Sequence, residues 1–277
     1  MASVHELIDA GDGRRLERFG ELIVDRPAPT AEWPLRDAGA WSTSDLVFDR
    51  AGGWTAAGDV VPSSWEVEDA DLRLELRPTP TGQVGLFPEQ AANRTWVRDV
   101  LGGLREPATV LNLFAYTGAI TLALAAAGAR VTHVDGSRPT VGWARRNAEL
   151  SGLADRPIRW IVDDVQAFAA REGRRARRYA GVVLDPPTYG HGAGGRTWTL
   201  EDRLPALLEA CAVVTASRPA FVVLTAHTPG FGADRLADSL AVAFRRRTSD
   251  VDAGELGLRA RSGAHLRLGA YARIIGS

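Results

Sequence analysis

Hydrophobic and polar positions follow two different rhythms along the chain. Before about residue 85, short runs alternate, as in Trp65-Glu66-Val67-Glu68 and Leu72-Arg73-Leu74-Glu75-Leu76. Bounded by turn-forming residues, such runs predict antiparallel strands. From about residue 107, continuous apolar runs alternate with stretches of helical character. The runs at 108–114, 130–134, 158–162, 180–184 and 220–226 predict buried strands. Between and after them, 119–128, 138–152, 165–173, 200–216 and 233–247 predict helices. Gly128 stands at a C-cap, and the second helix carries Pro139 near its start and Gly152 near its end. A last strand region covers 265–275. Repeated strand–helix units predict an α/β fold with a doubly wound, mostly parallel sheet and right-handed crossovers. The expected division is a small β-rich N-terminal domain over 1–85 and a larger α/β domain over 86–277.

Composition narrows the picture. Hydrophobic residues make up 45% of the 277 positions, enough for a sizeable core. The formal net charge of −1 argues against wholesale wrapping of nucleic acid but leaves room for a local basic face. All 33 basic residues are arginine, which rules out Schiff-base and lysine-nucleophile chemistry. Cys211 is the only cysteine, so no intrachain disulfide forms. Five histidines and one cysteine show no zinc spacing, and no metal is expected. The opening "MASVHELIDAGDGRR" has no apolar signal core, and no run of about 18 apolar residues suits a membrane span. A soluble, cytoplasmic protein is expected, of unspecified oligomeric state.

In doubly wound sheets ligands bind beyond the carboxyl ends of the strands. Read there, the first strand is followed by "NLFAYTGAI", where Gly118 stands alone; a dinucleotide loop wants three glycines at this turn. The second strand ends at Asp135, suited to the hydroxyls of a ribose. The third ends at Asp163 and Asp164, suited to an adenine amino group. The fourth ends in Asp185-Pro186-Pro187-Thr188-Tyr189. Acids for ribose and adenine without a phosphate loop describe an adenosine ligand lacking a pyrophosphate, and S-adenosylmethionine fits. Taken singly, Asp135, Asp163 and Asp164 read as well as helix caps or solvated loop residues, and His133 as a core histidine.

The stretch from "LNLFAYTGAI" through "DDVQAF" to "VVLDPPTYG", with "GLFPEQAANRTW" upstream, resembles the class I S-adenosylmethionine-dependent methyltransferases. The resemblance covers about 82–230 and is closer to the bacterial group that modifies large-subunit ribosomal RNA at cytosine C5 or at guanine. It implies a Rossmann-like fold with a mostly parallel seven-stranded sheet, S-adenosylmethionine as cofactor and RNA as substrate. By position, Asn112, Phe114, Tyr116, Thr117 and Gly118 would pass beside the methionine part. Asp135 would hold the ribose, Asp164 or Asp163 the adenine, and Asp185, Pro186, Pro187 and Tyr189 would line the methyl-transfer site.

Stiff prolines at Asp185-Pro186-Pro187 free carbonyl oxygens to accept from an exocyclic amino group, and Tyr189 offers a face for stacking. One departure matters. Methylation at pyrimidine C5 needs a cysteine nucleophile, expected just after the fifth strand, where the chain reads "VVLTAHTPG" instead. His227 in that stretch is a candidate general base or orienting residue, and methylation at nitrogen or oxygen becomes the expectation. The arginine clusters at 171–179 and 245–247 read equally as solvated helix ends and as phosphate contacts. The glycine-rich 190–198, with His191, reads as a loop over the site. Two alternatives stay open: a methyltransferase for a small molecule or protein side chain, and a non-catalytic binder of an adenosine ligand.

Overall fold

The structure is a computed structural model that describes residues 5–58, 60–191 and 197–276. Its chain divides into two compact units, Met1–Gln90 with Gly257–Leu268, and Ala91–Leu256 with Gly269–Ser277.

In the first unit, β1 (His5–Gly11), β2 (Arg14–Phe19), β3 (Leu22–Pro27), β4 (Leu46–Asp49) and β5 (Gly53–Ala56) form one sheet in that order. Pairings are antiparallel except for β3 with β4. Asp12 and Gly13 both take positive φ, as a two-residue hairpin turn of matching twist requires. The alternating runs read from sequence form a separate hairpin, β6 (Trp65–Asp69) and β7 (Leu72–Leu76). The remote segment Gly257–Leu268 joins this unit because its backbone finds partners here. The amides of Arg261 and Ser262 donate to the carbonyls of Leu7 and Ile8, and the Ser262 hydroxyl donates to the buried Asp9. Ala260, Ala264 and Leu266 pack with Leu7, Ala10, Ala28 and Ala31. Nothing in the local pattern at 257–268 announces these contacts.

The second unit opens with α1 (Ala91–Gly102), then alternates. It runs through β8 (Thr109–Leu113), α2 (Ala119–Ala126), β9 (Arg130–Asp135), α3 (Arg138–Leu150), β10 (Ile158–Val162), α4 (Val165–Arg174) and β11 (Gly181–Leu184). The short pair β12 (Tyr189–His191) and β13 (Thr197–Thr199) precedes α5 (Leu200–Val214). β14 (Phe221–Ala226), α6 (Ala233–Phe244), β15 (Asp252–Arg259) and β16 (His265–Ile275) follow, with β15 belonging to this unit up to Leu256 and β16 from Gly269. The sheet has seven strands in the order β10-β9-β8-β11-β14-β16-β15. The first five are parallel, and β16 pairs antiparallel with β14.

The fold class read from the sequence is thus the one observed. β11 and β14 are buried at every position, which is why they appear as uninterrupted apolar runs. One core lies between the sheet and α4, α5 and α6, led by Leu111, Leu184, Leu207, Leu224 and Leu240. Another lies beneath α1 and α2, around Val97, Leu124, Val131, Val183 and Phe221. Each fully buried aliphatic or aromatic side chain contributes about 1.5–3 kcal/mol. Helix starts follow their sequence signals. Ser137 caps α3 by accepting from the amide of Thr140, with Pro139 in the first turn.

Candidate functional site

Four adjacent strands, β9, β8, β11 and β14, bring their carboxyl ends side by side, and the strand order reverses between β8 and β11. That reversal is the switch point at which ligands enter such sheets. The loop from β8 to α2 is tightly bent. Phe114, Tyr116 and Gly118 take φ of 55°, 50° and 90°, and two non-glycine residues in the left-handed region mark a segment held under strain. A Cβ at Gly118 would stand 3.0 Å from that of Ala144, so only glycine lets α2 begin this close to α3.

Asp135 fastens the loop. One carboxylate oxygen accepts the Tyr116 amide at 2.9 Å and the other the Ser137 amide at 2.9 Å. Burial raises its pKa, and the two amides offset part of that rise. Other residues of the loop are placed differently. Asn112 is buried, and its Nδ2 donates to Thr121 Oγ1 at 2.8 Å. Thr121 in turn lies 2.9 Å from His133 Nδ1. His133 is core, as its sequence context suggests; burial pulls its pKa down to about 3, which keeps the ring neutral. Its Nε2 finds no partner among the described residues. Thr117 is buried, and its carbonyl accepts from Asn147 Nδ2 at 2.9 Å. Phe114 packs against the core, while the Tyr116 ring lies 6.3 Å from that of Trp143.

The two acids after β10 do different work. Asp164 caps α4, its carboxylate accepting the Ala167 amide at 2.8 Å. Asp163 is ion-paired with Arg171, and its amide donates to the Asp135 carbonyl at 3.1 Å, joining adjacent strand ends.

After β11, three contacts stitch the chain to the end of β14. The Thr225 hydroxyl donates to Asp185 Oδ1 at 2.6 Å. His227 Nε2 stands 3.4 Å from the same oxygen. The hydroxyls of Thr188 and Thr228 are 2.8 Å apart. A Cβ at Gly269 on β16 would lie 2.4 Å from the Ala226 carbonyl and 3.1 Å from His227 Nδ1, so glycine there leaves room for the histidine. Pro186 is buried, Pro187 is exposed, and Tyr189 is 73% exposed. Asp185 and His227 therefore meet beside the end of β14, and Pro186, Pro187 and Tyr189 follow Asp185 directly in the chain. Thr225, Thr188 and Thr228 join these contacts; Thr188 stands within the Asp185–Tyr189 stretch read from the sequence, while Thr225 and Thr228 carried no signal beyond their place after the fifth strand. Residues 192–196 of the glycine-rich stretch, and the side chain of His191, lie outside the described residues.

Among the described residues no group of His, Cys, Asp or Glu side chains suits a metal ion, and no helix is long and apolar enough to cross a membrane. A bent backbone with a single glycine at the switch point, a half-exposed acid on the next strand and further acids on the third suit an adenosine ligand without a pyrophosphate.

A sheet of this order with such strand ends defines a Rossmann-like methyltransferase. The chain belongs to the S-adenosylmethionine-dependent methyltransferase family, whose model matches residues 44–239, and S-adenosylmethionine is its cofactor. It is similar to the S-adenosylmethionine-dependent methyltransferase of Agrobacterium tumefaciens, with 33% identity, a TM-score of 0.93 and coverage of 100% of this chain and 91% of that one. Over 125 residues it is 34% identical to ribosomal RNA large subunit methyltransferase K/L of Pseudomonas aeruginosa. That match covers 45% of this chain and 16% of the relative, so the chain spans a small part of the curated protein it resembles. The Thermus thermophilus 16S rRNA N2 G1207 methyltransferase, solved with AdoMet and guanosine, shares the fold at 17% identity and a TM-score of 0.51, over 79% of this chain and 53% of that one.

Proposed function

We propose that the protein methylates a nitrogen atom of an RNA base, with ribosomal RNA as the substrate and the cytoplasm as its place of action. The platform at Asp185–Tyr189 carries this reading: its prolines fix carbonyl oxygens, and Tyr189 presents an exposed ring. The family resemblance to ribosomal RNA methyltransferases supports the substrate class. Carbon-5 chemistry lacks its nucleophile. Cys211, the only cysteine, is fully buried, with its thiol pushed up to about 12 by that burial, and Thr225 spends its hydroxyl on Asp185.

When bound, S-adenosylmethionine supplies an electrophilic methyl group. The chain has to hold it, orient a planar nucleophile and take up a proton. In this reading the loop from Asn112 to Gly118 passes the methionine part, chiefly through the backbone, since the Asn112 side chain is used internally. Asp135 serves the ribose. Asp164, with Asp163 as its alternative, serves the adenine amino group; Asp164 also caps α4 and Asp163 is ion-paired with Arg171. The carbonyls of Asp185 and Pro186 accept from the amino group to be methylated, Tyr189 stacks on the base, and His227, braced by Asp185, accepts the proton.

Transfer of labelled methyl to unmodified large-subunit ribosomal RNA, followed by nucleoside digestion, tests the reading. Label is expected in an N-methylated nucleoside. Label only in protein or metabolite fractions, or in 5-methylcytidine, overturns it. Tyr189→Ala should slow transfer by about 5–150-fold, the equivalent of a base–aromatic stack of about 1–3 kcal/mol, without lowering the melting temperature. An early melt with normal turnover would make Tyr189 structural.

A further inference from the structure

The arginine-rich stretch after the third strand takes no part in the chemistry above. α4 ends at Arg174, Arg175 is its C-cap, and Ala176 turns the chain with φ of 54°. Arg174, Arg175, Arg177 and Arg178 are all exposed. The edge strand β10 adds Arg159, which reaches Glu172 at 3.5 Å. Arg171 links this face to Asp163 at the carboxyl end of the same strand.

Arg159, Arg171 and Arg175 gather around Glu172, Asp163 and Phe168, and Arg174, Arg177 and Arg178 follow at and beyond the end of α4, six arginines to two carboxylates. Glu172 is buried and heavily used: it accepts the Tyr179 hydroxyl at 2.7 Å and Arg175 Nη1 at 3.1 Å. The guanidiniums of Arg159 and Arg171 rest over the Phe168 ring at 5.6 and 5.8 Å. Half of the face is therefore held in place. The other half is not neutralised: Arg174 and Arg177 make no ion pair among the described residues, and Arg178 donates to the carbonyl of Arg177 at 2.9 Å.

The helix dipole does not account for this excess. It favours a cation only within the last turn, whereas Arg177 and Arg178 lie beyond the helix. Clustered like charges repel, and in a chain of net charge −1 they serve no general solubility need. Guanidinium forks match phosphate oxygens in a way that point charges do not. We propose that the arginine face of α4 and β10 is a docking surface for the sugar-phosphate backbone of the RNA substrate.

The inference rests on the RNA reading above. Arg159, Arg171 and Arg175 form a fixed row, and Arg174, Arg177 and Arg178 supply charge that phosphates would neutralise. Such contacts carry affinity and orientation rather than base identity.

The test compares the intact protein with the triple variant Arg174→Gln/Arg177→Gln/Arg178→Gln. A control, Arg130→Gln/Arg145→Gln/Arg218→Gln, removes equal charge from exposed positions elsewhere. Binding of unmodified large-subunit ribosomal RNA is measured across about 50–200 mM salt, where counterion release sets the slope. The face variant should lose about two units of slope in log affinity against log salt, and its KM for the RNA should rise with kcat, cofactor affinity and melting temperature unchanged. Arg→Lys at the same three positions should restore most of the slope. Equal losses in face variant and control, or a face variant that binds like the parent, overturn the proposal. A parent protein that neither binds nor methylates this RNA overturns the RNA reading itself, and the docking surface with it.

Discussion

Asp185 sits where two side chains from one strand end converge on a single oxygen. Thr225 donates to it at 2.6 Å, and His227 stands 3.4 Å away. Thr225 is almost fully buried, so its hydroxyl has no water to turn to, and it acts by holding the carboxylate in place. Thr225→Val keeps the volume and removes the donor. A hydrogen bond to a charged group contributes about 1.5–3 kcal/mol, so methyl transfer should slow by about tenfold or more. Cofactor affinity should hold, and Thr225→Ser should recover most of the rate. Failure of the serine to rescue, in a variant that melts like the parent, would reduce Thr225 to packing. At this scale the sequence was legible for residue type and opaque for orientation. The strand-end positions of Asp185, Tyr189 and His227 could be read from the pattern alone. That Asn112 would turn inward to Thr121, and that Asp164 rather than Asp163 would cap α4, depends on which way each side chain leaves its strand end.

The elements were read more easily, because burial on both faces leaves continuous apolar runs. β8, β9, β11 and β14 announced themselves this way, and capping residues marked α3. Elements half open to solvent or set in polar sequence, such as α1, β12, β13 and β15, gave no such signal. Nor did the tie between α1 and β16 show in sequence. There Arg273 donates to Asn93 Oδ1 at 2.8 Å through Nε, between the rings of Trp96 and Tyr271. The element that carries the cofactor in the proposed function is the bent turn between β8 and α2, which has no regular structure of its own. Asp135 holds it from the neighbouring strand through the Tyr116 amide while also accepting from Ser137. Removing that carboxylate loosens the turn and takes away the proposed ribose acceptor together. Asp135→Ala should therefore weaken S-adenosylmethionine binding by roughly tenfold or more, measured by calorimetry. Unchanged affinity in a folded variant would separate Asp135 from the cofactor.

At the scale of the whole chain, the sequence pointed to a boundary near residue 85, whereas contacts run to Gln90 and bring Gly257–Leu268 back to the first unit. Pattern reading is local, and a segment that returns after more than half the chain has no local mark. The same holds for the ionic knot at the heart of that unit. Glu17 is fully buried, accepts from Arg26 Nε at 2.6 Å, and lies 3.2 Å from Arg15 Nε and 2.9 Å from His5 Nε2. Burial alone would raise its pKa, but the two guanidiniums and the histidine outweigh that and hold it well below the ordinary 4.5. A carboxyl depressed on folding contributes stability above its unfolded pKa and loses it as pH falls through the folded one. The first unit should thus lose stability as pH drops below about 4.3, where the unfolded carboxyl begins to take up its proton. Glu17→Gln should cost about 3–5 kcal/mol at neutral pH, since it strands two buried arginines. Because the glutamine cannot titrate, the gap between parent and variant should narrow steadily in acid. Denaturant melts of both proteins from neutral pH downwards read that gap directly. A gap that stays constant with pH would mean that Glu17 supports this unit by shape and hydrogen bonding rather than by its charge.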